Sequence, residues 1–296
     1  MIDRFHISGC AIDIGGTKTA AVRYENGKPV SRVLRATDGA KDLGGYIDDI
    51  SSLLAELEWQ QGRDPLGVAV AGLVSTNGEW TAGNSNTLTS LQTAPLGRAL
   101  EAAFGPHCLM NDAASATLAE YKFGVGAGAL SFVYLTVSTG VGGGAVVNGK
   151  LVQGKRGIAG HFGFTTSRFA NEVCGCGRES TFESVASGKA IAEAARKAGH
   201  TDLSARDVFG AVSNEEDWAV EIVERSASSI AELCANLVAM LDPDCIALGG
   251  SVGQAQGYIE RVQKHLKTEP KLFQVPIELA SLGPDGPLLG TLIVEE

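Results

Sequence analysis

The run Ala11-Ile12-Asp13-Ile14-Gly15-Gly16-Thr17-Lys18-Thr19-Ala20-Ala21 decides how the rest of the chain is read. An apolar stretch from Cys10 to Ile14, broken only by Asp13, enters a Gly-Gly-Thr turn and leaves as a second apolar stretch, Thr19 to Val22. The pattern predicts strand, tight turn, strand, because two glycines permit positive φ and the flanking residues are short and β-prone. Bare backbone at Gly15 and Gly16 exposes N–H groups and Thr17 adds a hydroxyl, which is the chemistry of a phosphate cradle. Gly15, Gly16, Thr17 and Lys18 are therefore candidate nucleotide-binding residues. Asp13, two residues before the turn, suits a metal ion held near those phosphates through water. Taken alone, the stretch reads equally well as an ordinary Gly-rich hairpin. It is not a P-loop, which needs a glycine four residues before Gly-Lys-Ser/Thr. Nor is it a dinucleotide fingerprint, which needs a helix after the glycines.

A second copy separates these readings. Val133-Tyr134-Leu135-Thr136-Val137 leads into Ser138-Thr139-Gly140-Val141-Gly142-Gly143-Gly144, then Ala145-Val146-Val147 and Asn148-Gly149-Lys150. The first copy likewise ends its second strand in Asn26-Gly27-Lys28. Both read as strand, Gly/Thr turn, strand, Asn-Gly turn, strand, and an internal repeat of this kind outranks any local motif. Gly140 to Ala145 also fits G-x-G-x-x-A, but strand and turn follow where a nicotinamide-binding unit needs a helix. Two phosphate hairpins facing each other describe an α/β, actin-like ATPase (sugar kinase) architecture, two domains around an ATP/sugar cleft.

Asp-Ile-Gly-Gly-Thr-Lys near the start and Thr-Gly-Val-Gly-Gly-Gly mid-chain resemble the ROK family of sugar kinases and repressors. The resemblance runs from Ala11 to the C-terminal segment. The expected division is 1–112 with 287–296 returning to it, and 113–286. Family repressors begin with a helix-turn-helix region, and a phosphate hairpin about ten residues from Met1 is expected to leave no room for one.

Bulk composition is compatible with this. A chain of 296 residues can fold as two domains, each with its own core. Its 44% hydrophobic and 20% charged residues are ordinary for a globular protein. A net charge of −10 without any Lys/Arg cluster argues against nucleic acid as a partner. No apolar run approaches the length of a membrane span, there is no signal peptide, and six cysteines lack a disulfide-framework spacing, so a cytoplasmic, reduced protein is expected. A homodimer is the default assembly.

Along the chain, apolar spacing predicts a helix over Leu43 to Trp59, a buried strand over Leu66 to Ala71 with Gly72 at its C-terminal end, and a helix over Pro95 to Phe104. Asn84 to Leu91 reads as a polar loop. Cys108 to Met110 is a short strand delivering Asn111-Asp112 to the start of an Ala-rich helix that runs to Phe123. An aspartate there is most often an N-cap, but a site between two phosphate hairpins needs an acid. Gly154 to Gly163 reads as Gly-rich and mobile. Helices are expected over Ala190 to Ala198, Glu215 to Leu241 and Tyr258 to Leu266, with a strand Cys245 to Leu248 and a turn Gly249-Gly250-Ser251-Val252 between the last two. Leu288 to Val294 is a short apolar segment.

The resemblance implies roles for these positions. Asp112 would be the catalytic base, with Asn111 and Gly72 at the sugar. Asp13, Gly15, Gly16, Thr17, Lys18, Thr139, Gly140, Gly142, Gly143, Gly249, Gly250 and Ser251 would serve ATP and Mg2+. The family's sugar-binding Glu corresponds to Glu183, and Asn86 lies beside the substrate loop, where the family's Asn-Leu is replaced by Thr87-Leu88. The family's Glu-x-Gly-His segment reads His161-Phe162-Gly163-Phe164. Histidine at that first position, with the stretches Leu135 to Gly144 and Gly249 to Gly253, looks closest to the branch that phosphorylates N-acetyl-D-mannosamine at O6. Glucose, N-acetylglucosamine and an inactive sugar sensor are the alternatives. Family zinc sites use a His, Cys-x-Cys-Gly and a third Cys. Here Cys174 and Cys176 remain while the other two positions are Phe164 and Thr181, so no metal is expected there.

Overall fold

The computed structural model describes residues 6–82 and 93–293. Asn84 to Leu91, including Asn86, lie outside the described residues. Two compact units are formed. The first comprises the chain up to Phe123, Gln153–Ala159 and the stretch from Pro284 onward; the second comprises Gly124–Val152 and Gly160–Gly283.

The first unit is built on five strands, β1 (Gly9–Ile14), β2 (Lys18–Glu25), β3 (Lys28–Ala36), β4 (Leu66–Val70) and, after a minor pair β5 (Leu73–Val74) and β6 (Trp80–Thr81), β7 (Cys108–Asn111). The sheet order is β3-β2-β1-β4-β7, antiparallel across the first three strands and parallel from β1 to β7. β4 is buried along its whole length, as a parallel strand covered on both faces must be. Helices α1 (Leu43–Glu56), α2 (Leu96–Phe104) and α3 (Asp112–Phe123) complete the layer. The Asp42 carboxylate caps α1 by accepting from Gly45 N–H at 2.9 Å. Ile12, Val68, Val70, Leu53, Leu57, Trp80 and Leu100 form the core.

The second unit repeats the plan. Strands β8 (Phe132–Val137), β9 (Val141–Val147) and β10 (Lys150–Leu151) form the meander, and helices α4 (Glu183–Ala186), α5 (Gly188–Lys197), α6 (Ala205–Ser213) and α7 (Asp217–Leu241) precede β11 (Cys245–Gly249). The one-turn helix α8 (Gly250–Gly253), α9 (Tyr258–Leu266) and β12 (Ile277–Leu279) follow. The order β10-β9-β8-β11-β12, antiparallel then parallel from β8, matches the first sheet strand for strand. Both meanders close on Asn-Gly turns with positive φ at both residues, 49° and 73° at Asn26-Gly27 and 51° and 78° at Asn148-Gly149. That double positive φ is the reason this dipeptide is chosen for two-residue hairpins. A separate core gathers Val133, Leu135, Phe182, Ile230, Leu237, Ile246 and Leu248.

A last helix, α10 (Gly286–Gly290), packs against α3 in the first unit through small residues. Ser115 Oγ donates to Pro287 O at 2.6 Å, and Gly67 of β4 faces Thr291 with no room for a β-carbon. This packing puts α3 in the first unit, whereas the expected division fell after residue 112. The segment read as mobile is anchored too: Thr76 N–H donates to Lys155 O at 3.1 Å within the first unit. All six cysteines are free thiols, and no helix among the described residues is long and apolar enough to cross a membrane.

Candidate active site

In the first unit, β1, β4 and β7 run parallel with Ile14, Val70 and Asn111 in register, so their C-terminal ends form one edge. Ligands of open α/β sheets collect at such an edge. The edge brings together Asp13, the Gly15–Lys18 turn, Gly72, Asn111 and Asp112. Gly15 N–H is already taken, donating to Lys18 O at 3.0 Å to close the turn. The N–H groups of Gly16 and Thr17 meet no acceptor among the described residues, so these two, rather than Gly15, are the donors the turn can offer an anion.

At the β7–α3 junction the two neighbouring side chains divide the labour. Asn111 Oδ1 accepts from Ala114 N–H at 3.0 Å, three residues on, which is the N-cap hydrogen bond. Its amide nitrogen donates to Gly72 O and to Asp112 Oδ1, both at 2.8 Å. Asp112 Oδ1 also accepts from Ala113 N–H at 2.8 Å. The helix is therefore capped by Asn111, and the second oxygen of the half-buried Asp112 is left for chemistry. Burial pushes the Asp112 carboxyl up to about 6, against the pull of its hydrogen bonds. Asp13 is raised as well, by burial first and by the Asp112 charge second, with Lys18 opposing. Its Oδ1 is buried and accepts no hydrogen bond from any described residue. An orphaned carboxylate oxygen beside a second acid fits a hard cation such as Mg2+, which takes oxygen ligands and tolerates intervening water.

In the second unit, Ser138 N–H donates to Gly140 O at 2.9 Å, the counterpart of the Gly15–Lys18 closure. Thr139 stands exposed at the tip. The Gly249–Ser251 turn packs directly on this hairpin: the Oγ atoms of Ser251 and Ser138 are 3.2 Å apart. Gly250 has φ 83°, and a β-carbon there would lie 2.6 Å from Thr136 Oγ1. Gly142 and Gly143 are ladder residues of β9, opposite Thr136 and Leu135. Gly143 is buried, with the Phe162 ring 3.0 Å from where its β-carbon would sit, so packing alone accounts for a glycine.

Glu183 opens α4 and reaches the same hairpin. Its Oε2 accepts from Val141 N–H at 3.0 Å and lies 2.6 Å from the position a β-carbon on Gly140 would take. His161 precedes the short turn Phe162–Phe164 and stacks on the Phe164 ring, centroids 5.5 Å apart with planes at 28°. Cys174 is buried, and burial pushes its thiol up to about 11. Thr181 is fully buried, its hydroxyl accepting from Ser184 N–H at 3.2 Å. No group of three or more His, Cys, Asp or Glu side chains that could hold a metal ion occurs among the described residues.

Sequence reading missed two contributors. Ser138 borders the turn glycines, a signal the sequence carries, and its hydroxyl meets that of Ser251. Trp80, fully buried, donates its indole N–H to Ala71 O at 2.8 Å and fixes the chain just before Gly72. Nothing in its neighbourhood of the sequence marks it.

The ROK family model matches residues 9–295. The N-acetylmannosamine kinase of Haemophilus influenzae is 41% identical over 285 residues, which cover 95% of this chain and 92% of that protein. The N-acetylmannosamine kinase of Vibrio cholerae is 36% identical over 281 residues, covering 95% and 96%. The solved structure of a ROK family glucokinase from Streptomyces griseus, in complex with glucose and AMPPNP, has a TM-score of 0.81 at 25% identity and covers 96% of this chain and 98% of that one. With a family match over almost its whole length and relatives at this identity, the chain belongs to the ROK family.

Proposed function

We propose that this protein is an ATP-dependent kinase that phosphorylates N-acetyl-D-mannosamine on its 6-hydroxyl, with Asp112 as the general base. The observation that carries the reading is the division of labour at the β7–α3 junction. Asn111 caps the helix, so the Asp112 carboxylate is held in place by two hydrogen bonds to one oxygen while the other is available to a sugar hydroxyl. Relatives at 36–41% identity that are N-acetylmannosamine kinases support the choice of sugar. Glucose is the second reading, favoured by the Streptomyces griseus glucokinase neighbour.

Phosphoryl transfer asks for positioning and charge stabilisation more than covalent help. Asp112 orients the 6-hydroxyl and takes its proton as the new bond to phosphorus forms. Asn111, tied to Gly72, keeps that carboxylate from rotating. The N–H groups of Gly16 and Thr17 and the Thr139–Gly140 tip are the proposed phosphate donors, and Gly249–Ser251 the proposed adenosine platform. Glu183 and His161 are the proposed sugar contacts. Mg2+, where bound, supplies charge neutralisation on the transferring phosphate. Asp13 would hold it, relieving the repulsion between its own carboxylate and that of Asp112. A homodimer working in the cytoplasm completes the reading.

The test is Asp112→Asn. Loss of a general base costs about 10²–10⁴-fold in rate, so kcat should fall by that factor with ATP binding and melting temperature unchanged. Product from the unaltered enzyme should carry phosphate on O6 by NMR. Near-normal turnover of the variant would remove Asp112 from the mechanism.

A further inference from the structure

Glu183 starts a helix of only four residues, too short to fix the direction of a long side chain by itself. Its two oxygens are nevertheless each engaged. Oε2 accepts from Val141 N–H in the Gly-rich hairpin at 3.0 Å, and Oε1 accepts from the Cys174 thiol at 3.7 Å, an ordinary length for a sulfur donor. Each carboxylate oxygen is thus held, one by a backbone amide and the other by a thiol.

The thiol is itself built in. Cys174 N–H donates to Arg178 O at 2.7 Å and Cys174 O accepts from Gly177 N–H at 2.9 Å, closing a tight turn. An isolated bridge between Val173 and Glu179 ties the two sides of that turn together, and another from Thr166 to Thr181 anchors the segment that follows it. Thr181, fully buried just beyond the turn, accepts from Ser184 N–H through its hydroxyl at 3.2 Å. Cys176, by contrast, is only half-buried.

We propose that Cys174 is a positioning residue for sugar binding: its thiol, held by the tight turn from Cys174 to Arg178, fixes the rotamer of Glu183. The proposal rests on the reading that Glu183 meets the sugar. It assigns Cys174 a role as a neutral hydrogen-bond donor and makes the two cysteines unequal, which a shared metal-ligand role would not.

The test measures KM for N-acetyl-D-mannosamine, KM for ATP and kcat in Cys174→Ala, Cys174→Ser, Cys176→Ala and Glu183→Gln, with melting temperatures alongside. Cys174→Ala should raise the sugar KM about threefold to tenfold, the worth of one modest hydrogen bond, while ATP KM and kcat stay within about twofold. Cys174→Ser keeps a donor and should recover part of the loss, and Cys176→Ala should match the unaltered enzyme. In a Glu183→Gln background, Cys174→Ala should add little further loss, because the two act through one carboxylate. Should Cys174→Ala fail to fold, Cys174→Val removes the donor without leaving a cavity. If Glu183→Gln raises the sugar KM and Cys174→Ala or Cys174→Val does not, the thiol has no positioning role and the Glu183 assignment stands. If Glu183→Gln leaves the sugar KM unchanged, that assignment falls and the proposal falls with it. Equal losses in Cys174→Ala and Cys176→Ala, together with bound zinc, would overturn it in favour of metal ligation.

Discussion

At Asp112 the protein sets a carboxylate where burial works against its charge, then steadies it with two donors on one oxygen. The folded pKa, pushed up to about 6, gives a signed expectation. The proposed base must be ionised to accept a proton, so on this mechanism activity is lost as pH falls through that value and is full above it. kcat/KM for the sugar, which reports the free enzyme, should be flat between about pH 7 and 8 and fall about tenfold per unit well below 6. A profile flat down to about pH 4.5 would mean that no such base is needed. The sequence offered Asn111-Asp112 as a pair but not the split of roles. Either side chain can cap a helix, and only the register of the first turn, with Ala114 N–H facing Asn111 Oδ1, decides between them. Likewise, that Gly15 N–H closes its own turn is a matter of hairpin geometry, and composition cannot report it.

At the level of elements, small residues mark where the C-terminal segment is received. Gly67 on β4 lies against Thr291 so closely that a β-carbon would collide with its side chain. Gly67→Ala should destabilise the fold by about 1–3 kcal/mol, the usual cost of overpacking, read as a fall in melting temperature. Thr291→Ala in the same chain should restore part of it, so that the pair is less than additive; additive losses would mean the strain lies elsewhere. The Cys174 turn carries a second expectation. Chelator-free protein should hold far less than one zinc per chain and melt at the same temperature with or without a chelator, since Phe164 stacks on His161 and Thr181 is committed to Ser184. One zinc per chain, lost to a chelator together with stability, would contradict this. Elements with strong periodicity were legible: α9 begins and ends where the spacing of Tyr258 and Leu266 put it. The helix α6 was not anticipated, because its Ser204–Asp207 capping box precedes only nine residues with two buried positions. Glu215 to Leu241 shortened to Asp217–Leu241, since Glu215, with φ 61°, is left-handed and cannot continue a helix.

Across the whole molecule, the repeat is what made the fold readable. Two Gly-turn meanders, each closed by Asn-Gly, predicted two like units, and the two sheets share one strand order. The parallel halves of those sheets, and the return of α10 to β4 and α3, depend on contacts far apart in the chain that no local pattern records. The sugar is the least legible feature, because a hexose and its N-acetylamino relatives differ by groups that meet only a few side chains. A pocket formed to hydrogen-bond a substrate group rejects an analogue that leaves that partner unmatched. The measurement that bears most directly on the account is therefore kcat/KM, from ADP release, for N-acetyl-D-mannosamine, N-acetyl-D-glucosamine and D-glucose at saturating ATP. N-acetyl-D-mannosamine should lead both by about tenfold or more; glucose or N-acetyl-D-glucosamine turned over as efficiently, or no ADP released with any of the three, would contradict the proposed function.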